Sequence, residues 1–287
     1  MGSQDLRDLK KAIDRGFRDF SREYGDVLEA FFDPLLFFLV WFEKLLITTP
    51  WPIIIIVISY LAWAGSRSVL IVLGTAFSFI FIGYLDMWED TMSTLAIISV
   101  ATLLCIVVGL PVGVLMARSD RVQSLITPIL DIMQTIPSFV YLIPVVMLLG
   151  IGKVPGLIAV CIYAIPPIVR LTNLGLRLVN REVLEAADAF GATYFQKLLR
   201  IQIPLALPNI FAGINQTIMM SLAMVVIAAM IGVQGLGQPV LRAISNQYLA
   251  LGVMNGLAIV ALAVIFDRVS QRFGKRLQRH LDINKNA

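Results

Sequence analysis

The sequence predicts an all-α membrane protein with several spans, and three observations carry that prediction. Of its 287 residues, 58% are hydrophobic and only 15% are charged, with a mean hydropathy of +0.84; a soluble core requires far less. Several apolar runs approach or exceed the roughly 20 residues that cross a hydrocarbon layer of about 30 Å. None alternates apolar and polar residues as a barrel strand does. Backbone in lipid must satisfy its own hydrogen bonds, so the runs are helices.

Taken in order, residues 1–26 intersperse acids and bases without an apolar signal-peptide core, which predicts a charged helical extension with a solvated face. Across 27–50, Phe31, Phe32, Leu35 to Phe42 and Leu45 to Ile47 are apolar, but Asp33, Pro34, Glu43 and Lys44 interrupt them. That pattern is read as an amphipathic helix lying along the bilayer in preference to an eighth span. Spans are placed near 52–65, 68–85, 91–117, 125–150, 154–175, 205–232 and 250–267. The chain thus divides into an extension with an interfacial helix (1–50), two peripheral transmembrane helices (51–90), a core (91–270) and a basic tail (271–287).

Orientation follows from the basic residues near the span ends. Arg67, Arg118 with Arg121, the loop from Arg170 to Arg200, and the tail with Arg268, Arg272, Lys275, Arg276 and Arg279 fall on alternate connections, while Asp86, Glu89 and Asp90 fall on the other side. The first set is assigned to the cytoplasm. Seven spans then place the C-terminus in the cytoplasm and the N-terminus outside; an eighth span would bring the N-terminus inside.

Composition also excludes whole classes of function. A net charge of +4, with the basic residues in loops and tail, forms no nucleic-acid stripe. Cys105 and Cys161 sit within apolar runs, where a thiol acts as a small hydrophobe, and neither bridge nor metal is expected. His280 is the lone histidine, in the basic tail, and no Ser/His/Asp or metal-ligand set is found, so no catalytic residue and no enzyme activity are expected. The G-x-x-x-x-G-K-[ST] phosphate loop is missing too. An ion-coupled secondary transporter, the alternative from another class, normally carries intramembrane carboxylates. Here Asp131, near the cytoplasmic end of its helix, is the acid within the central spans.

Polar residues are costly facing lipid and therefore mark either a pathway or contacts between helices. Gln134, Ser138 and Tyr141 are expected to share one helical face, and Thr217 and Ser221 another, with Asn215 nearby. Both readings stay open; as a candidate translocation pathway these six residues are preferred to the apolar positions between them.

The segment Glu185-Ala-Ala-Asp-Ala-Phe-Gly191, followed by Ile201-Gln-Ile-Pro204, lies between two apolar stretches, flanked by Arg170, Arg177, Arg181, Lys197 and Arg200. A helix with an acid and small residues, then a glycine where the chain can bend, makes a compact docking knob for a soluble partner. The spacing E-A-A-x3-G-x9-I-x-I-P resembles the coupling motif of bacterial ABC importer permeases, whose usual ending is I-x-L-P. Ile203 for Leu conserves volume. Met133 to Pro144, Ile151 to Gly156, Ile165 to Arg170, Asn215 to Met220 and Gly235-Leu-Gly237 widen the likeness. Over about residues 50–275 the chain resembles the permease of the ProU-type glycine betaine/proline betaine uptake system.

That resemblance implies the transmembrane-domain fold of a type I ABC importer in the bacterial cytoplasmic (inner) membrane, with a coupling helix over about 180–197. Glu185, Ala186, Ala187, Gly191, Ile201 and Pro204 are the implied ATPase-coupling residues. A second permease copy, a cytoplasmic ATPase dimer that binds ATP and magnesium, a separate extracytoplasmic solute-binding protein and membrane lipid are the implied partners. The implied solute is a quaternary-ammonium compound of the glycine betaine, proline betaine or choline class; relatives of this kind also carry carnitine or histidine.

Overall fold

The computed structural model describes residues 3–283, which are helical apart from short turns. The helices are α1 (Ser3–Thr48), α2 (Trp51–Ser66), α3 (Val69–Tyr84), α4 (Trp88–Arg118), α5 (Asp120–Thr135), α6 (Leu142–Leu149), α7 (Lys153–Arg177), α8 (Arg181–Ala189), α9 (Tyr194–Lys197), α10 (Ile203–Ala228), α11 (Gly237–Asn246) and α12 (Leu249–Ile283). A 3-10 turn (Ser138–Tyr141) precedes α6, and a π-helical segment (Leu198–Gln202) joins α9 to α10.

The body is built around α7, which lies between α4 and α10. Small residues let the three backbones approach closely. A Cβ on Gly109 would lie 2.5 Å from Ile168 Cγ2, and one on Gly113 would lie 2.6 Å from Thr172 Cβ. On the other side of α7, Gly213 faces the Ile168 backbone and Gly175 faces Asn209. Ile168 and Thr172, four residues apart on one face of α7, are therefore fully buried. Next to α10, α12 completes the bundle, and α2 and α3 pack on its flank.

Among the described residues four helices are long and apolar enough to cross a membrane: α4, α7, the continuous helix Tyr194–Ile231 and the Leu249–Gly274 part of α12. The expected span over 125–150 is not one helix. Ile136-Pro137 breaks it, and α5 and Ser138–Leu149 meet at 108°. Proline is disfavoured after an α-helical residue and lacks the N–H that would continue the ladder, and Ile136 accordingly adopts an extended conformation. The expected spans at 52–65 and 68–85 correspond to α2 and α3, which have 16 residues each, about 24 Å of helix.

The helix expected over 27–50 is the end of a longer one. α1 runs unbroken through Pro34 because Leu35, Leu39, Phe42 and Leu46 recur on one face and pack into the core. Among the described residues its polar ties to other helices lie at the end of the bundle where α4 and α7 begin. Glu43, 4% exposed, accepts a hydrogen bond from Ser93 at 2.8 Å and pairs with Lys153 at 2.5 Å, while Ser21 donates to the Met147 carbonyl at 2.6 Å. α1 thus lies across that end, and the chain turns by 111° into α2.

The notch at Gly113 generates a prediction. Gly113→Ala forces α4 away from α7 and costs about 1–3 kcal/mol, lowering the thermal midpoint of the purified protein. Gly74→Ala, where a Cβ meets nothing within 4 Å, leaves the midpoint unchanged. Equal midpoints for both variants would show that the close contact is not needed.

Candidate functional site

The segment from Asn180 to Pro204 is a compact knob at the basic end of the bundle. Asn180 caps α8 by accepting the Glu182 N–H at 2.9 Å. The helix ends in two linked hydrogen bonds, Gly191 N–H to the Asp188 carbonyl at 2.9 Å and Ala192 N–H to the Ala187 carbonyl at 3.0 Å. This closure places the residue after the C-cap in the left-handed region, and Gly191 has φ +72°. Thr193 and Gln196 then form a reciprocal capping box that starts α9.

One contact closes the knob on itself, one fixes it to the body and one braces the body beside it. Lys197 of α9 pairs with Asp188 of α8 at 2.5 Å. The Arg118 guanidinium, at the end of α4, lies 4.4 Å from the centre of the Tyr194 ring. Arg177, at the end of α7, donates to the Met116 carbonyl at 2.9 Å and pairs with Asp120 at 2.7 Å, tying α7 to the α4–α5 junction. Next to it, Arg170 pairs with Asp131 at 2.5 Å.

Within this frame Glu185 and Ala186 are exposed, and Ala187 is buried against the body. Ile201 and Pro204 are half-buried. Pro204 has no N–H for the Arg200 carbonyl, and at this root the helix widens into the π form. Exposed beside Glu185 are residues the sequence reading did not single out: Phe190 at 92%, Phe195 at 70% and Leu199 at 61%. Their signal was available, since large apolar residues stood within a loop rich in Arg and Lys.

The six pathway candidates are not brought together. The shared face of Gln134, Ser138 and Tyr141 does not exist, because the bend at Pro137 falls between Gln134 and the other two. Gln134 is exposed, Ser138 is half-buried, and the buried Tyr141 spends its hydroxyl on the Met133 carbonyl. Thr217 and Ser221 do share a face of α10, but it is the inner face. Both are fully buried within one chain, and their hydroxyls find no partner. Asn215 donates to Asp267 of α12 at 2.8 Å. The outer face of α10 presents Ala212, Gln216, Met219 and Ala223, at spacings of four, three and four.

A helical body of closely packed spans, with broken helices and a projecting knob at one end, defines a transport subunit of the ABC importer type. The fold is shared with a chain of the inward-facing MetNI methionine ABC transporter, with a TM-score of 0.59 at 22% identity over 64% of this chain and 93% of that one. Residues 109–279 match the binding-protein-dependent transport system inner membrane component family, and the chain belongs to it. ProW, the glycine betaine/proline betaine transport system permease protein of Escherichia coli K12, is 48% identical over 242 residues, 84% of this chain and 68% of ProW. GbuB, the glycine betaine/carnitine transport permease protein of Listeria monocytogenes, is 46% identical over 79% of this chain and 81% of its own length. OpuAB of Bacillus subtilis, a glycine betaine transport system permease protein, is 44% identical over 73% of each chain. This chain is a multi-pass permease subunit.

The inner position of Thr217 can be tested directly. Thr217→Val keeps the shape and removes an unpaired buried hydroxyl, so thermal stability is expected to hold or rise. Thr217→Leu overpacks the α10 interior and lowers it by about 1–3 kcal/mol. A loss with Val as large as with Leu would mean that the hydroxyl has a partner after all.

Proposed function

We propose that this permease forms the translocation pathway of an ATP-driven importer for a quaternary-ammonium compatible solute of the glycine betaine and proline betaine class. The observation that carries the reading is the exposed knob of α8, Gly191 and α9, held to the end of α4 by Arg118 on Tyr194 and continuous with the end of α7. It suits a partner that pushes on it, and the solutes named for ProW, GbuB and OpuAB supply the substrate class. ATP and magnesium are bound by a separate cytoplasmic ATPase dimer, and solute arrives on a separate extracytoplasmic binding protein. Two copies of the permease enclose the path.

In this reading Glu185 offers a charge, and Phe190 and Phe195 apolar anchors, to the ATPase, and Gly191 allows the turn between the two short helices. Movement of the knob is conveyed by Arg118 to α4 and by the short connection 178–180 to α7, whose end Arg177 ties to the α4–α5 junction, a rigid-body coupling between two states of the membrane body. The solute path follows surfaces left open on a single chain, the Gln216 face of α10 and Gln134. Thr217, Ser221 and Tyr141 support it from within. The knob and the basic tail face the cytoplasm. The end crossed by α1 faces outside, with α1 along that interface and the N-terminus on the outer side. Carnitine or histidine is the competing solute within the same permease class.

Gly191→Val tests the coupling role. A β-branched residue at φ +72° costs about 1–3 kcal/mol of local strain, but no neighbour lies within 4 Å of the added Cβ, so the body stays intact. Normal amounts of protein in the membrane with uptake of labelled glycine betaine abolished are expected; normal uptake with an unchanged ATPase rate would remove the knob from the mechanism. Labelled histidine, supplied with the cognate receptor, should not be transported.

Orientation is checked by single cysteines in a background lacking Cys105 and Cys161. In intact cells a membrane-impermeant reagent should label Glu89→Cys and spare Gln278→Cys. The reverse pattern would invert the topology.

A further inference from the structure

A cavity of about 1230 Å³ opens between α3 and α12, beside the turn that joins α2 to α3. One end of it is basic. Arg268, Arg272 and Arg276 recur every four residues along α12, and Arg67 reaches in from the turn. Among the described residues none of the four has an ion-pair partner. Arg276 donates only to the Ala64 carbonyl, at 3.4 Å, and Arg67 leans on the Trp63 ring at 4.8 Å. The carboxylate next in sequence, Asp267, is occupied by Asn215 and Gln271 at 2.8 and 2.7 Å. Like charges four apart on a helix repel, so the cluster lacks the anion that would offset it.

The rest of the cavity is of another character. It continues along α3 past Leu70, 78% exposed, towards Gly74, and along α12 past Val264, 50% exposed. At Gly74 a missing side chain leaves open space. A soluble anion needs the guanidiniums alone and has no use for an apolar slot. An amphiphile with an anionic head uses both, and basic pockets between membrane helices are suited to such heads.

We propose that this cavity holds one anionic phospholipid, its phosphate against Arg67, Arg268 and Arg272 and an acyl chain running along α3 past Gly74. Assignment to the cytoplasmic leaflet rests on the orientation proposed above; the binding itself does not. The lipid fastens α3, which otherwise meets the body through α2, α12 and a light contact with α4, to the basic end of α12.

The test uses the full-length protein, stripped of lipid in detergent and titrated with dioleoylphosphatidylglycerol, dioleoylphosphatidylcholine or inorganic phosphate. Bound species are counted by native mass spectrometry, independently of transport. Wild type is expected to retain one phosphatidylglycerol, to discriminate against phosphatidylcholine, and to keep its lipid in millimolar phosphate. Replacing both Arg268 and Arg272 by Gln weakens retention about thirtyfold, and replacing both by Lys preserves most of it. Gly74→Leu weakens retention as well, although every arginine remains. Equal retention of the two lipids, or undiminished retention in the Gln variant, overturns the proposal. Displacement by phosphate, or binding that survives Gly74→Leu, would make this a site for a soluble anion and overturn it equally.

Discussion

Everything else in the molecule depends on how closely α7 approaches α4 and α10. In a bilayer there is no hydrophobic gain from bringing two apolar helices together, so association relies on packing contacts that only small residues allow. Gly109 and Gly113 receive Ile168 and Thr172 from one side, and Gly175 and Gly213 close the other. Because α7 is held on both sides, its two ends are fixed in relation to those of its neighbours. One end carries Arg177 and the knob; the other carries Lys153 and the tie to α1.

This arrangement separates two kinds of polar contact. At the basic end the ion pairs are partly exposed, with Asp120 and Asp131 open to solvent, and such pairs exchange partners at small cost. At the other end Glu43 is nearly inaccessible and is matched by both Lys153 and Ser93. Breaking a buried pair leaves an uncompensated charge, an expensive event. The basic end, which carries the knob, is thus built from replaceable contacts, and the end that carries α1 from a contact that holds its register.

What the sequence revealed, and what it concealed, follows from the range of each interaction. The helical class, the long spans and the knob were legible because they rest on local signals: hydropathy, and a glycine three residues past Glu-Ala-Ala-Asp. The left-handed Gly191 is the physical content of that spacing. The pathway faces were misread because helical periodicity holds only while a helix continues, and Pro137 ends it between Gln134 and Ser138. Thr217 and Ser221 were assigned to one face correctly, but no local signal says which face of α10 looks inward. That is decided by Gly213 meeting α7, a contact more than forty residues distant in sequence. Likewise Pro34 and Glu43 read as interruptions, until Ser93 and Lys153 supply Glu43 with partners from remote helices.

The brevity of α2 and α3 has a consequence for the surrounding lipid. Each measures about 24 Å, against a hydrocarbon thickness of about 30 Å, and tilting a short helix only widens the difference. A bilayer crossed by helices of this length has to thin along this flank, with headgroups drawn inward towards Arg67 at one end and the Pro50-Trp51 turn at the other. The long helices α4, α7 and α12 ask for no such adjustment. A bilayer fitted to both kinds of helix is uneven in thickness, so the acyl-chain length of the membrane bears on the α2–α3 edge of the molecule more than on the edges formed by the long helices.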